Sequence, residues 1–321
     1  MTLDLTLDHV ADNAAQSVAT PENSLANSPP NSKTRFAHLP VADDRTVDFD
    51  HTLYTDEEHD RWNRLAARCK DVLKTRACDE YLAAMDALDL SGAGIPDAEK
   101  LSDELEQRTG WRVVPVAGYV PDKIFFEHLA NKRFPIGVFI RPEHEFDYLE
   151  EPDIFHDVFG HVPLLTNPAY AEFSHAYGKA RTKAAEHDCI TELLNLYWFT
   201  IEFGLVKSDN GLKLFGAGLM SSAAEAKFAL DDPSPNRLGF DLERAMRTNA
   251  FIDDYQQTYF VIDSFNDLLE ICEQDFTPIY ERLADNVRHT PGAVLESDDV
   301  IHRGTQAYFQ NGKHADGVWG L

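Results

Sequence analysis

Apolar residues recur at helical intervals over much of the chain. From Asp56 onward, Trp62, Leu65, Ala66 and Cys69 share one stripe, which Val72 and Leu73 extend. Tyr81, Leu82, Met85 and Leu88 mark a second helix, and Asp97 after Pro96 opens a third that Gly110 can end. WRVVPVAG (111–118) and PIGVFIR (135–141) read as short strands. Between them, Pro121 and Asp122 open a helix carrying Phe125, Phe126 and Leu129. Asn167 and Pro168 suit the N-cap and first position of a long helix burying Tyr170, Phe173 and Tyr177. A helix over about 189–203 and a short strand over 212–215 follow, then a Gly-rich turn becoming helix near Ser222. A strand over 258–263 precedes a capping box, Ser264 with Asp267, that starts a helix reaching to about 284. The pattern predicts a mainly α (α+β) chain, one helical domain over 36–286 with a few short strands. Residues 1–35 lack the apolar content to offset the entropy of ordering and are expected to be a disordered tail. Residues 287–321 show no period and are expected to be irregular.

The densest chemistry lies in PDIFHDVFGHVP, residues 152–163. His156 and His161 are five apart, a spacing that an unbroken α-helix turns about 140° away from one face. Pro152 fits a first helical turn and Gly160 a left-handed cap. The spacing therefore predicts His156 in a last helical turn and His161 past a break, swung back towards the same point. Such a pair suits one face of a metal, although two hydrogen-bonded core histidines account for it equally well. Glu202 sits in YWFTIEFG, where a buried carboxylate is costly unless paired or bound to a metal; an outward-facing or arginine-paired glutamate is the alternative.

Together the three have a chemical meaning. Two histidines and one carboxylate with open positions mark non-haem Fe(II) oxygenases. Zinc hydrolases also use two histidines and a glutamate, but in HExxH at i, i+4; here the spacing is i, i+5 and Asp157 follows the first histidine. A structural metal would need a fourth histidine or cysteine, and none is apparent nearby. Arg141 is a natural bidentate partner for a carboxylate, with Asp153 placed to hold it or to pair with it outright.

Composition narrows the partners. The 321 residues are 43% hydrophobic, enough for a sizeable core, and the formal net charge of -26 argues against nucleic acid or anionic membrane as partner. Cys69, Cys78, Cys189 and Cys272 show no CxxC spacing and read as reduced thiols. The acidic N-terminus lacks the h-region of a signal peptide and no apolar run is long enough for a membrane helix, so a cytoplasmic protein is expected.

PDIFHDVFGHVPLL, LYWFTIEFGL, FGAGLMSS and YFVIDSFNDL, with FFEHLANKRFP and SPNRLGFDL, resemble in order and spacing the catalytic domain of the pterin-dependent aromatic amino acid hydroxylases, the short bacterial phenylalanine 4-hydroxylases above all. The resemblance covers roughly residues 45–285. It implies Fe(II) held by His156, His161 and Glu202, and hydroxylation of L-phenylalanine to L-tyrosine with O2 and a tetrahydropterin. Arg141, supported by Asp153, would bind the substrate carboxylate. Trp198, Phe203, Gly218 and Ser221 would line the amino acid pocket, with Tyr148, Leu149 and Pro152 near it. The pterin, tetrahydrobiopterin or a relative, would lie along Gly118 to Val120, past Asp122, stacked on Phe125 near Asp157 and Tyr197. Three positions depart from the animal enzymes: Asp157 for a glutamate, Leu149 for a threonine and Asp122 for a small polar residue. Neither a regulatory domain nor a tetramerisation helix is apparent, which implies a monomer. Preference for tryptophan or tyrosine remains the alternative within the family.

Overall fold

The structure, a computed structural model, describes residues 35–310 apart from 91, 93, 147–150 and 252–253. The expected N-terminal tail thus lies outside the described residues except at Arg35, which pairs with Glu58 at 2.7 Å. Thr55 and Glu58 form a reciprocal capping box for α1 (Asp56–Leu73), whose apolar stripe from Trp62 to Leu73 is buried. Next come α2 (Asp79–Ala87) and α3 (Ala98–Thr109), the latter capped by Asp97 and ended by Gly110 in the left-handed region at φ 77°. β1 (Arg112–Val116) then crosses over through α4 (Asp122–Ala130) to β2 (Arg133–Gly137), which pairs with it in parallel. The strand expected over 135–141 therefore starts earlier and ends at Gly137, where its backbone N–H turns to Asp157.

A π-helix, Phe155–His161, precedes α5 (Pro168–Glu186), which Asn167 caps. α6 (Ile190–Tyr197) runs straight into a second π-helix, Trp198–Glu202. β3 (Leu205–Ser208) and β4 (Gly211–Leu214) form a hairpin. FGAGLMSS, read as a turn, is already helical as α7 (Ala217–Ser221) before α8 (Ala223–Asp231). β5 (Asn236–Gly239), α9 (Leu242–Met246) and β6 (Thr258–Ile262) follow. The helix expected to reach about 284 is two, α10 (Phe265–Cys272) and α11 (Thr277–Leu283); Pro278 can open the second but not continue the first. The C-terminal stretch is not wholly irregular: β7 (Val300–His302) pairs antiparallel with β5, and α12 (Ala307–Gln310) buries Phe309. The larger sheet has the order β4-β3-β6-β5-β7. Mainly helical, with a main core running from Phe36 to Phe309 and a smaller cluster of Phe199, Leu238, Ala245 and Phe260, the chain has the fold class its periodicity predicts. Among the described residues no helix is long and apolar enough to cross a membrane.

α4 and α5 bring two aromatic residues, Phe125 and Tyr177, towards the end of α6, where Tyr197, directly before the second π-helix, lies 5.6 and 5.1 Å from them by ring centroids. Gly178 permits this approach, since a Cβ there would stand 2.3 Å from Ala130 N and 2.7 Å from the Leu129 Cβ. Backbone cannot yield as a side-chain tip can. Gly178→Ala should therefore cost about 1–3 kcal/mol as an overpacked helix crossing, read from urea unfolding; an unchanged midpoint would contradict this packing.

Candidate metal centre

Both histidines belong to the one π-helix, which corrects the expected break at Gly160. In a π-helix the i→i+5 hydrogen bond closes the turn, so residues five apart stand nearly one above the other. The spacing that spoils an α-helical pair is the one that aligns this pair. Gly160 is needed for contact rather than for a left-handed turn: a Cβ on it would lie 2.7 Å from Ala217 O on α7. Glu202 arrives from the end of the second π-helix, and Gly216 and Gly218 let α7 close against its carbonyl.

His156 Nε2 lies 3.2 Å from His161 Nε2. Glu202 Oε1 is 3.1 Å from His161 Nε2, and Oε2 is 3.6 Å from His156 Nε2. Two ligands at right angles on an ion with bonds of about 2.1 Å stand about 3.0 Å apart, and opposed ligands about 4.2 Å. The donors are therefore spaced as neighbours on one side of a metal. Among the described residues, no fourth His, Cys, Asp or Glu joins this group.

Protonation suits ligation. Burial pulls His156 down to about 4, with His161 and Arg141 adding and Glu202 opposing, so the imidazole is neutral at neutral pH. Burial alone would raise the Glu202 carboxyl, but the two histidines outweigh it and hold it lowered. His156 Nδ1 lies 2.8 Å from Ser221 Oγ, and that hydroxyl is also 3.0 Å from Ala217 O. With the hydroxyl proton given to the carbonyl, Ser221 accepts from Nδ1–H, which leaves the Nε2 lone pair facing the other donors.

Beside the donors stands a second construction. Arg141 is buried and gripped by the fully buried Asp153, Nε to Oδ2 at 2.9 Å and Nη2 to Oδ1 at 2.7 Å. Asp153 also accepts from the backbone N–H groups of Arg141 and His156. Burial raises its carboxyl, and the Arg141 charge overrides that to leave it lowered. Among the described residues Arg141 Nη1 has no hydrogen-bond partner.

A profile described as biopterin-dependent aromatic amino acid hydroxylase matches residues 31–292. The chain belongs to this family. Phenylalanine-4-hydroxylase of Caulobacter vibrioides is 53% identical over 275 residues, 86% of this chain and 94% of that protein. The enzyme of Chromobacterium violaceum is 45% identical, with 82% and 89% covered. A crystal structure of the latter with iron and phenylalanine bound, 43% identical, superposes with a TM-score of 0.80 over 85% of this chain and all of that one. The zinc hydrolase and structural-metal alternatives fall away with family membership.

Several of the remaining expected residues stand near the three donors or against one another. Trp198 and Phe203 pack ring to ring at 4.9 Å, and Gly218 faces Phe203, whose ring a Cβ would meet at 2.8 Å. Tyr197 lies 6.2 Å from the His161 ring and links it to Phe125. Asp157 accepts from Gly137 N at 2.7 Å; burial pushes it up to about 7 against that bond. Pro152, directly before Asp153, is exposed. Gly118, at φ 69°, and Val120 lie in the turn before α4, and Asp122 is its first residue; neither Gly118 nor Val120 bonds to the three donors. Tyr148 and Leu149 lie outside the described residues. Sequence reasoning missed the bond of Ser221 to His156, having placed Ser221 only in the substrate pocket. It also missed Phe134, 4.7 Å from the His161 ring. Ser221→Ala should weaken Fe(II) binding about 10- to 100-fold, as loss of an outer partner does, measured by competition with a chelator; wild-type affinity would rule the bond out as a support.

Proposed function

We propose that this chain is a phenylalanine 4-hydroxylase, converting L-phenylalanine, O2 and a tetrahydropterin to L-tyrosine at Fe(II) held by His156, His161 and Glu202. The convergence of the three donors beside the Arg141–Asp153 pair carries the reading. When bound, iron and pterin together supply the activation of dioxygen for attack on the aromatic ring. The rest is the work of the protein. Arg141 offers Nη1 to the substrate carboxylate while Asp153 fixes the guanidinium plane, so the amino acid is held by its polar end. Because Asp153 also holds the His156 backbone, substrate and metal positions share one anchor. Trp198 and Phe203 offer an apolar wall to the ring and help exclude water. Phe125 offers a face on which the flat pterin can stack, and Asp157, Tyr197 and the turn from Gly118 to Asp122 bound its place.

The test is direct. Metal-free protein loaded anaerobically with Fe(II), given phenylalanine and a tetrahydropterin and then air, should release tyrosine, and none should form with iron or pterin withheld. Arg141→Lys in the same assay should raise the phenylalanine KM about tenfold or more through loss of the fork; an unchanged KM would remove Arg141 from the binding role. We read the protein as a cytoplasmic monomer, for which light scattering should return one chain of 36.2 kDa.

A further inference from the structure

A guanidinium taken out of water costs free energy unless an opposite charge meets it. Four arginines are buried among the described residues. Arg141 has Asp153 at 2.7 Å, Arg244 has Asp298 at 2.9 Å and Arg247 has Asp285 at 2.6 Å. Arg237, on β5, has no carboxylate at ion-pair distance among the described residues. Its Nε donates to Ala229 O at 2.7 Å and Nη2 to Asp232 O at 2.8 Å, carbonyls at the C-terminal end of α8. Those bonds hold the group rigidly and leave Nη1 without a partner. Burial dominates its surroundings and draws the guanidinium below its usual range, with Tyr259, Asp232 and Asp231 only partly opposing.

Arg237 lines an open cleft of about 430 Å³ together with Thr75, Arg76, Asn210, Lys213, Asp231 and His302. None of these belongs to the iron site. His302 stands opposite Arg237 across the β5–β7 pairing. Arg76 is neutralised by Asp231 at 2.6 Å, so Lys213 and Arg237 leave two positive charges in excess, on a chain whose formal charge is -26. Lys213 Nζ donates to Thr75 O at 2.7 Å and keeps two further protons to give.

We propose that this cleft binds a small phosphate anion, either free phosphate or a phosphate monoester, through Arg237 and Lys213 with His302 at its edge. A planar carboxylate is best met by the two-pronged fork of one guanidinium. Here the Nε–Nη2 edge of Arg237 is spent on carbonyls, and the donors that remain lie on Arg237 Nη1 and Lys213 Nζ, on different strands. That arrangement suits a tetrahedral oxyanion with acceptors pointing several ways. Nucleic acid, a far larger polyanion, would meet the repulsion of the whole chain.

Calorimetric titration of the iron-loaded full-length protein with inorganic phosphate, at fixed pH and ionic strength with chloride as control, tests the site. Saturable binding is expected, weakened about tenfold in Lys213→Gln, the equivalent of one charge-assisted hydrogen bond. Arg237→Gln should abolish it, but also strips the end of α8, so the half-buried Lys213 carries the decision. Glycerol phosphate binding more tightly than phosphate, with the same dependence on Lys213, would assign the monoester; equal or weaker binding would assign the free ion. Absence of saturation, or an affinity unchanged in Lys213→Gln as phosphate on the iron would give, overturns the proposal.

Discussion

The site depends on a wider helical turn. Three donor atoms must meet within a few ångströms, each with a lone pair free, and two of them come from residues five apart in sequence. An α-helix would aim those two side chains about 140° apart. The π-helix over Phe155–His161 removes that angle, and the second π-helix over Trp198–Glu202 brings the carboxylate to the same place. π-turns are rare because they loosen the packing along the helix, and they persist where surrounding contacts compensate. Here α7 supplies those contacts, closing on Gly160 through Ala217 and on Glu202 through Gly216 and Gly218.

Asp153 joins the two halves of the chemistry. One buried carboxylate accepts two bonds from the Arg141 side chain, one from its backbone and one from the backbone of His156. Such a group is expensive to bury and is tolerated because every acceptor direction is used. The consequence is geometric: Arg141 cannot move far without moving His156. Burial does separate work at His156, where it keeps the imidazole neutral and able to donate its lone pair.

The contrast between Arg141 and Arg237 shows how burial of charge can be read. Both are 6% exposed. Arg141 is matched by Asp153, which takes its Nε and Nη2. Arg237 has only carbonyls, and its unmatched charge opens onto a cleft with another free cation. In both cases the unused N–H is the informative atom.

Residue identity pointed to a candidate metal set. Two imidazoles and a carboxylate in apolar surroundings are costly to keep without a purpose, and the motifs around them are long, so His156, His161, Glu202 and Arg141 stood out as candidates before any fold was known, and the fold brings the first three together. Helix positions were legible too, since capping residues such as Thr55, Asp97, Asn167 and Ser264 act within one turn of chain. The kind of helix was not. Whether Phe155–His161 winds as α or π depends on α7, some sixty residues later, and a local pattern carries no information about that contact. The same reason hid β7, whose pairing edge on β5 exists only after folding; the break between α10 and α11 was signalled locally, by Pro278. The same reason also hid Ser221 as the partner of His156, and the unpaired charge of Arg237: a hydrogen bond or its absence belongs to two residues in space, and only the tertiary structure decides which two.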